Sequence, residues 1–201
     1  MEYIEGLHPH GWKPDTIASY RPERFNYIRQ YIPENAVICE IGVMQGQLTV
    51  QMLRALKPKQ IHCIDPWLRY GEHADRQHNG PGIAGVVIPA LGTIPQVKVH
   101  VKRSQDAIDE FPDEFFDFIY IDGLHTYEQV KLDLDLYWPK LKCGGVVAGD
   151  DYGWANSPTC TVKRAVQEFH AEHKDECTLD LKGHQQFAFI KKQSALVQSL
   201  N

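Results

Sequence analysis

Short apolar runs alternate along this chain with longer amphipathic stretches. AVICEIG (36–42) stops at glycine and reads as a buried strand. QLTVQMLRAL (47–56) carries Leu48, Val50, Met52, Leu53 and Leu56 near helical spacing, and Pro58 opposes its continuation. QIHCIDPW (60–67) is a second strand, bearing Asp65 at its end. QVKVHVKR (96–103) alternates Val97, Val99 and Val101 with polar residues, the period of a third strand. QDAIDEF (105–111) is a short helix with Ser104 placed to cap it. FDFIYID (116–122) is a fourth strand and GGVVAGDD (144–151) a fifth. Between them, TYEQVKLDLDLYWPKL (126–141) is a helix with Val130, Leu134 and Trp138 on one face. CTVKRAVQEFHAEH (160–173) is a further helix, and CTLDLK (177–182) with QQFAFIKK (185–192) reads as a closing hairpin.

Strands joined through helices pair in parallel by right-handed crossovers, which lays helices on both faces of the sheet. The expected class is α/β: a doubly wound, mostly parallel, seven-stranded sheet ending in an antiparallel hairpin. In such sheets ligands bind beyond the carboxyl ends of the strands, near the reversal in strand order. One domain spans 1–201, with a helical cap over 1–32, where PERFNYIRQYI is the best helix, and the core over 33–201. The Gly-rich segment 66–94 is expected to be helical near 83–91. Its remainder and residues 152–160 are candidate lids, a role left open at this point.

Composition narrows the partners. The chain has 201 residues, 43% hydrophobic and 23% charged, as in an ordinary globular protein. A net charge of -5 gives no basic footprint for nucleic acid and no polybasic patch for an acidic membrane, so the expected partner is a small molecule. The first residues, MEYIEGLHPHGWKPD, lack the regions of a signal peptide, and no apolar run is long enough to cross a bilayer. Five cysteines, an odd number without a C-x-x-C pair, fit reduced thiols and a cytoplasmic location. Cys39 and Cys63 fall within strands and read as small buried hydrophobes. Self-association into a homo-oligomer is left open.

Two clusters carry candidate chemistry. In EIGVMQG, Gly42 permits the turn out of the first strand and Gly46 lets backbone approach a ligand closely. The following helix presents N–H groups to an anion. Asp65, one unit later, can accept hydrogen bonds from two ribose hydroxyls. The spacing is E-x-G-x-x-x-G, with Glu40 where a dinucleotide fingerprint places its first glycine, and a carboxylate there suits a cationic ligand. In this the residues resemble class I S-adenosylmethionine (SAM) methyltransferases, whose cofactor carries an ammonium and a sulfonium.

The second cluster lies at the ends of strands four and five. Asp122 ends one; Asp150 and Asp151 follow the other, one crossover helix away. Converging carboxylates repel unless something cationic joins them, and a divalent ion with oxygen ligands, Mg²⁺ most simply, is the natural candidate. His125 stands three residues past Asp122, where neutral imidazole can take a proton.

The pattern I-D-G-x-H-x-Y-E-x-V…L-D-L…L-x-x-G-G-x-x-x-G-D-D is similar to the metal-dependent small-molecule O-methyltransferases, and within them to the macrocin-type and cephalosporin-hydroxylase-like branch. The resemblance covers about 36–170 and implies a Rossmann-like fold. It implies SAM bound at Glu40, Gly42, Gly46, Asp65, Ser104, Gln105 and Asp122. It also implies Mg²⁺ or another divalent cation on Asp122, Asp150 and Asp151, and His125 as base for methylation of a small molecule's hydroxyl. Many members carry Glu where Asp150 stands, and long N-terminal extensions of some relatives have no counterpart here. Trp67 is a candidate for ring stacking or for the core. Two other readings stand beside this one: a non-catalytic SAM-binding partner subunit, and a nicotinamide-dependent oxidoreductase on a similar sheet.

Overall fold

A computed structural model describes residues 22–68, 81–153, 161–181 and 185–193. The chain enters through helix α1 (Pro22–Ile28), continued by a 3-10 turn at Arg29–Tyr31, and then strand β1 (Val37–Ile41). Helix α2 (Gln47–Leu56), β2 (Gln60–Ile64), α3 (Pro81–Gly92) and β3 (Val97–His100) complete the first half. Helix α4 (Ser104–Ala107), β4 (Phe116–Ile121), α5 (Tyr127–Tyr137), β5 (Leu141–Gly149), α6 (Val162–Glu172), β6 (Cys177–Asp180) and β7 (Phe187–Lys191) form the second.

The strands make one sheet in the order β3-β2-β1-β4-β5-β7-β6. β1, β2, β3, β4 and β5 pair in parallel, while β7 runs antiparallel to both β5 and β6. The expected class and the closing antiparallel pair are therefore as observed. The reversal in strand order falls between β1 and β4, because the chain returns from the β3 edge to pair β4 against β1.

Side chains alternate across each strand, so the strand sequences divide into two faces. Ile38, Cys63, Phe118, Tyr120 and Val146 join Ile28, Met52 and Val87 from α1, α2 and α3 in one buried cluster. Cys39, Ile41, Ile119, Ile121 and Val147 join Leu134 and Tyr137 of α5 and Val166 and Phe169 of α6 in the other. α2 leaves β1 onto the first face and α5 leaves β4 onto the second. Their starting loops part at the reversal and leave a crevice there.

Several boundaries moved. α5 ends at Tyr137 rather than at 141, because Pro139 offers no N–H to continue the ladder. β5 starts at Leu141 rather than 144, with a register shift opposite Phe116 and Phe118. Helix α3 extends beyond the expected 83–91 at both ends and carries Pro89 within it. Ser104 does not cap the helix after β3: Arg103 holds the N-cap position without a side-chain hydrogen bond, and Ser104 opens α4. Residues 1–21 of the expected cap, 69–80 and 154–160 of the candidate lids, and Cys160 lie outside the described residues.

Candidate functional site

The glycine loop after β1 is set by contact between strand ends. Gly42 has φ +85, and a Cβ there would lie 2.1 Å from the carbonyl oxygen of Asp122. Its N–H donates to the Ile64 carbonyl at 2.9 Å. The loop therefore ties β1 to β2 while lying against β4, a closeness only glycine permits. Gly46, at φ 76, is the N-cap of α2.

Asp65 clamps this loop. Oδ2 accepts the N–H groups of Val43 at 3.0 Å and Met44 at 2.9 Å, and Oδ1 accepts that of Trp67 at 2.6 Å. Burial pushes the carboxyl above its ordinary range, and the three N–H groups oppose the rise. The acid expected to hold a ribose thus also organises the turn that would cradle the cofactor. Trp67 is 2% exposed and donates its indole N–H to the Met44 carbonyl at 2.8 Å, which makes it a core support of the loop.

Glu40 is buried beneath this turn, with Oε2 accepting the Thr49 hydroxyl at 2.5 Å. Burial raises its carboxyl to about 8, against the pull of Thr49 and of Arg24. A buried acid in this state favours any positive charge placed beside it. Ser104 and Gln105 follow β3, on the same side of the reversal as Asp65. The Ser104 hydroxyl is turned inward: it donates to Asp133 Oδ1 at 2.5 Å and accepts from Gln129 Nε2 at 3.1 Å. Asp133 is buried in α5, and burial raises its carboxyl to about 6.

Across the reversal, backbone bonds pin the acids. Asp122 N–H donates to Ile41 at 2.8 Å, and Asp150 N–H donates to Ile121 at 3.2 Å. Each acid therefore stands at the end of a strand locked to its neighbour. Asp151 adopts a left-handed conformation, φ 63, directly after Asp150. His125 Nε2 lies 3.0 Å from Asp151 Oδ2 and 3.5 Å from Asp122 Oδ1. Thr126 caps α5 through the Gln129 N–H, and the His125 carbonyl accepts the N–H of Thr161 at 3.1 Å, which fixes the loop from both sides. Burial lowers the His125 pKa, but the bonds to Asp122 and Asp151 outweigh it and raise the imidazole to about 10.

Ligand atoms of Asp122, His125 and Asp151 all lie within 4.8 Å of one another. Two carboxylate oxygens at that separation fit a divalent cation that takes its other positions from water or substrate, with the imidazole close beside them. The other such group among the described residues, Asp135, Glu172 and His173, lies on helix surfaces, and Lys131 already bridges Asp135 and Glu172.

Asp150 does not join the converging set. Its Oδ1 accepts Gln186 Nε2 at 2.6 Å and the Asp151 N–H at 2.9 Å. Its Oδ2 lies 3.3 Å from Arg24 Nη1, the same nitrogen that meets Asp122 Oδ2 at 2.7 Å. Arg24 is 6% exposed and lies over the Tyr120 ring. Burial works against its charge, but Tyr120, Asp122, Asp150 and Glu40 together hold the guanidinium more firmly protonated than usual. Sequence reasoning missed Arg24 and Gln186. The one available signal for Arg24 was the charge imbalance of three neighbouring acids, which was assigned wholly to an ion.

A family model described as a methyltransferase domain matches residues 39–152. Uncharacterized protein R132 of Acanthamoeba polyphaga mimivirus is 27% identical over 155 residues, covering 73% of this chain and 66% of that protein, just under two thirds of its length. The O-methyltransferase NovP superposes with a TM-score of 0.64 at 19% identity, over 85% of this chain and 80% of its own. MycE methyltransferase of the mycinamycin biosynthetic pathway, solved with Mg, SAH and mycinamycin VI, superposes with a TM-score of 0.56 at 17% identity. That match covers 86% of this chain and 49% of MycE.

Proposed function

The chain belongs to the methyltransferase family whose domain model spans residues 39–152, a SAM-dependent methyltransferase by that membership, and from this premise we propose that it methylates a hydroxyl of a small molecule with the help of a divalent cation. The observation that carries the proposal is the convergence of Asp122, His125 and Asp151 within 4.8 Å at the reversal in strand order. The presence of Mg and SAH in the MycE complex supports the same pairing of cation and cofactor here. Mg²⁺ is the simplest ion. The nicotinamide reading falls with the family assignment.

Glu40 and the loop from Gly42 to Gly46 receive the methionine end of SAM, with the buried Glu40 carboxylate answering the ammonium. Asp65 shapes the loop and borders the ribose, and Ser104 and Gln105 border the adenine. The acceptor hydroxyl lies beside Asp122 and Asp151. Asp122 and Asp151 would hold the divalent cation, which would supply a positive charge that lowers the hydroxyl pKa. With a cation drawing off the negative charge of Asp122 and Asp151 that holds its proton, His125 would be neutral and would take the hydroxyl proton at Nε2. The oxygen then bonds to the methyl carbon as the carbon–sulfur bond breaks, leaving S-adenosylhomocysteine with a neutral thioether. Because SAM supplies an activated methyl group, the chain's own work is to bind, align and deprotonate.

We place the reaction in the cytoplasm. Among the described residues Cys39, Cys63, Cys143 and Cys177 are free thiols, and no helix is long and apolar enough to cross a membrane.

The test measures S-adenosylhomocysteine release across a panel of hydroxylated acceptors in Mg²⁺ and in EDTA. Turnover is expected to require the cation, and Asp122→Ala and Asp151→Ala are each expected to lose about a hundredfold or more while retaining SAM binding by calorimetry. Equal turnover in EDTA overturns the cation reading. SAM binding without turnover on any acceptor favours the non-catalytic subunit.

A further inference from the structure

The charge at this site is divided in an unexpected way. Three acids gather at the ends of β4 and β5, yet one of them is sealed: the Asp150 side chain is 2% exposed, against 13% for Asp151, 19% for His125 and 22% for Asp122. Gln186 and the Asp151 N–H occupy one Asp150 oxygen, and Arg24 faces the other. The same Arg24 nitrogen takes Oδ2 of Asp122, and that carboxylate turns Oδ1 toward His125. A guanidinium so deeply buried needs partnered carboxylates, and a carboxylate so deeply buried needs a fixed cation.

We infer that Arg24 is a positioning residue that acts as an internal counter-cation: it holds Asp150 out of the cation's coordination shell and leaves Asp122 one oxygen to offer. This rests on the cation reading above. Arg24 offsets one of the three carboxylate charges gathered at these strand ends. Without Arg24 the site has a third negative charge and Asp150 is released toward the ion, so cation affinity rises. Arg24 is carried by α1, so the docking of that helix sets the affinity of a site built on β4 and β5.

The experiment is calorimetric titration of the full-length protein with Mn²⁺ alone, without SAM. Arg24→Met is expected to tighten Mn²⁺ binding about tenfold, and Asp150→Asn in the same background to reverse the gain. In the wild-type background Asp150→Asn is expected to change affinity less than about threefold, as is Arg24→Lys, which keeps the charge, whereas Asp151→Asn weakens binding by about tenfold or more. Unchanged or weaker binding by Arg24→Met overturns the inference, as does an Asp150→Asn loss equal to that of Asp151→Asn. Should Arg24→Met fail to fold, the contrast between Asp150→Asn and Asp151→Asn decides alone. Wild-type protein that binds no Mn²⁺ overturns the cation reading itself, a distinct result that removes this inference with it.

Discussion

Gly42 is where a single atom decides the site. It leaves β1 in the left-handed region, with the Asp122 carbonyl where a side chain would begin. Adding that carbon must separate the ends of β1 and β4, the two strands that flank the crevice. Gly42→Ala is expected to cost about 2–3 kcal/mol, from the strained φ and the overpacking together. A lowered urea midpoint with an unchanged m-value is the expected reading, and an unaltered midpoint rejects the close approach. Asp65 works on the same turn from the other side, by taking three backbone N–H groups of the loop and its neighbour. These residues set the shape of the turn between β1 and α2.

At the scale of elements, the site depends on how α1 and α5 are seated. Helix α5 starts just after His125, and the Thr126 hydroxyl accepts the Gln129 N–H to close its first turn. Without that acceptor the first turn frays and the loop from Asp122 to His125 loses one of its two anchors. Thr126→Ala is expected to cost about 1 kcal/mol, and Thr126→Ser to recover most of it. Thermal unfolding of the three proteins side by side checks this, and equal midpoints for all three reject the cap. Helix α1 is seated by Arg24 against the acids and by two tyrosines against β6: Tyr27 donates to the Asp180 carbonyl and Tyr31 to its carboxylate. Segment 22–31 therefore joins the acids at the ends of β4 and β5 to the β6 edge of the sheet.

For the whole molecule, buried titratable groups set how stability follows pH. Glu40 binds its proton more tightly folded than unfolded, at about 8 against an ordinary 4.5, and His125 does so at about 10 against 6.5. Between pH 6.5 and 8 the folded chain thus holds protons that the unfolded chain has released, so stability falls as pH rises. The slope is up to about 1.4 kcal/mol per pH unit for each proton. Asp133, raised to about 6, has largely finished titrating in both states by then, whereas His62, pushed down to about 4 by burial, still sheds its unfolded-state proton near pH 6.5 and offsets part of the fall at that end. Urea unfolding of the cofactor-free protein in EDTA at pH 6.5 and 8 is expected to show the fall. Glu40→Gln and His125→Gln are each expected to flatten it, and a slope untouched by both substitutions rejects the assignment.

Periodicity and glycine placement determined the parallel pairing, both layers of helices and the closing hairpin, because these depend on local pattern and crossover handedness, while the strand order came from the tertiary structure. The same local reading put Glu40, Gly42, Asp65, Asp122, His125 and Asp151 at strand ends around one crevice. It could not show that Ser104 turns inward to Asp133, since α5 supplies that partner from a distant part of the chain. Nor could it distinguish Asp150 from Asp151, adjacent acids in the sequence. Only the tertiary structure, by bringing Arg24 and Gln186 onto Asp150 and turning Asp151 through a positive φ toward His125, decided which acid is buried against a guanidinium and which meets the imidazole. The physical reason is that a carboxylate's role depends on the charge and water around it, and those come from segments far away along the chain.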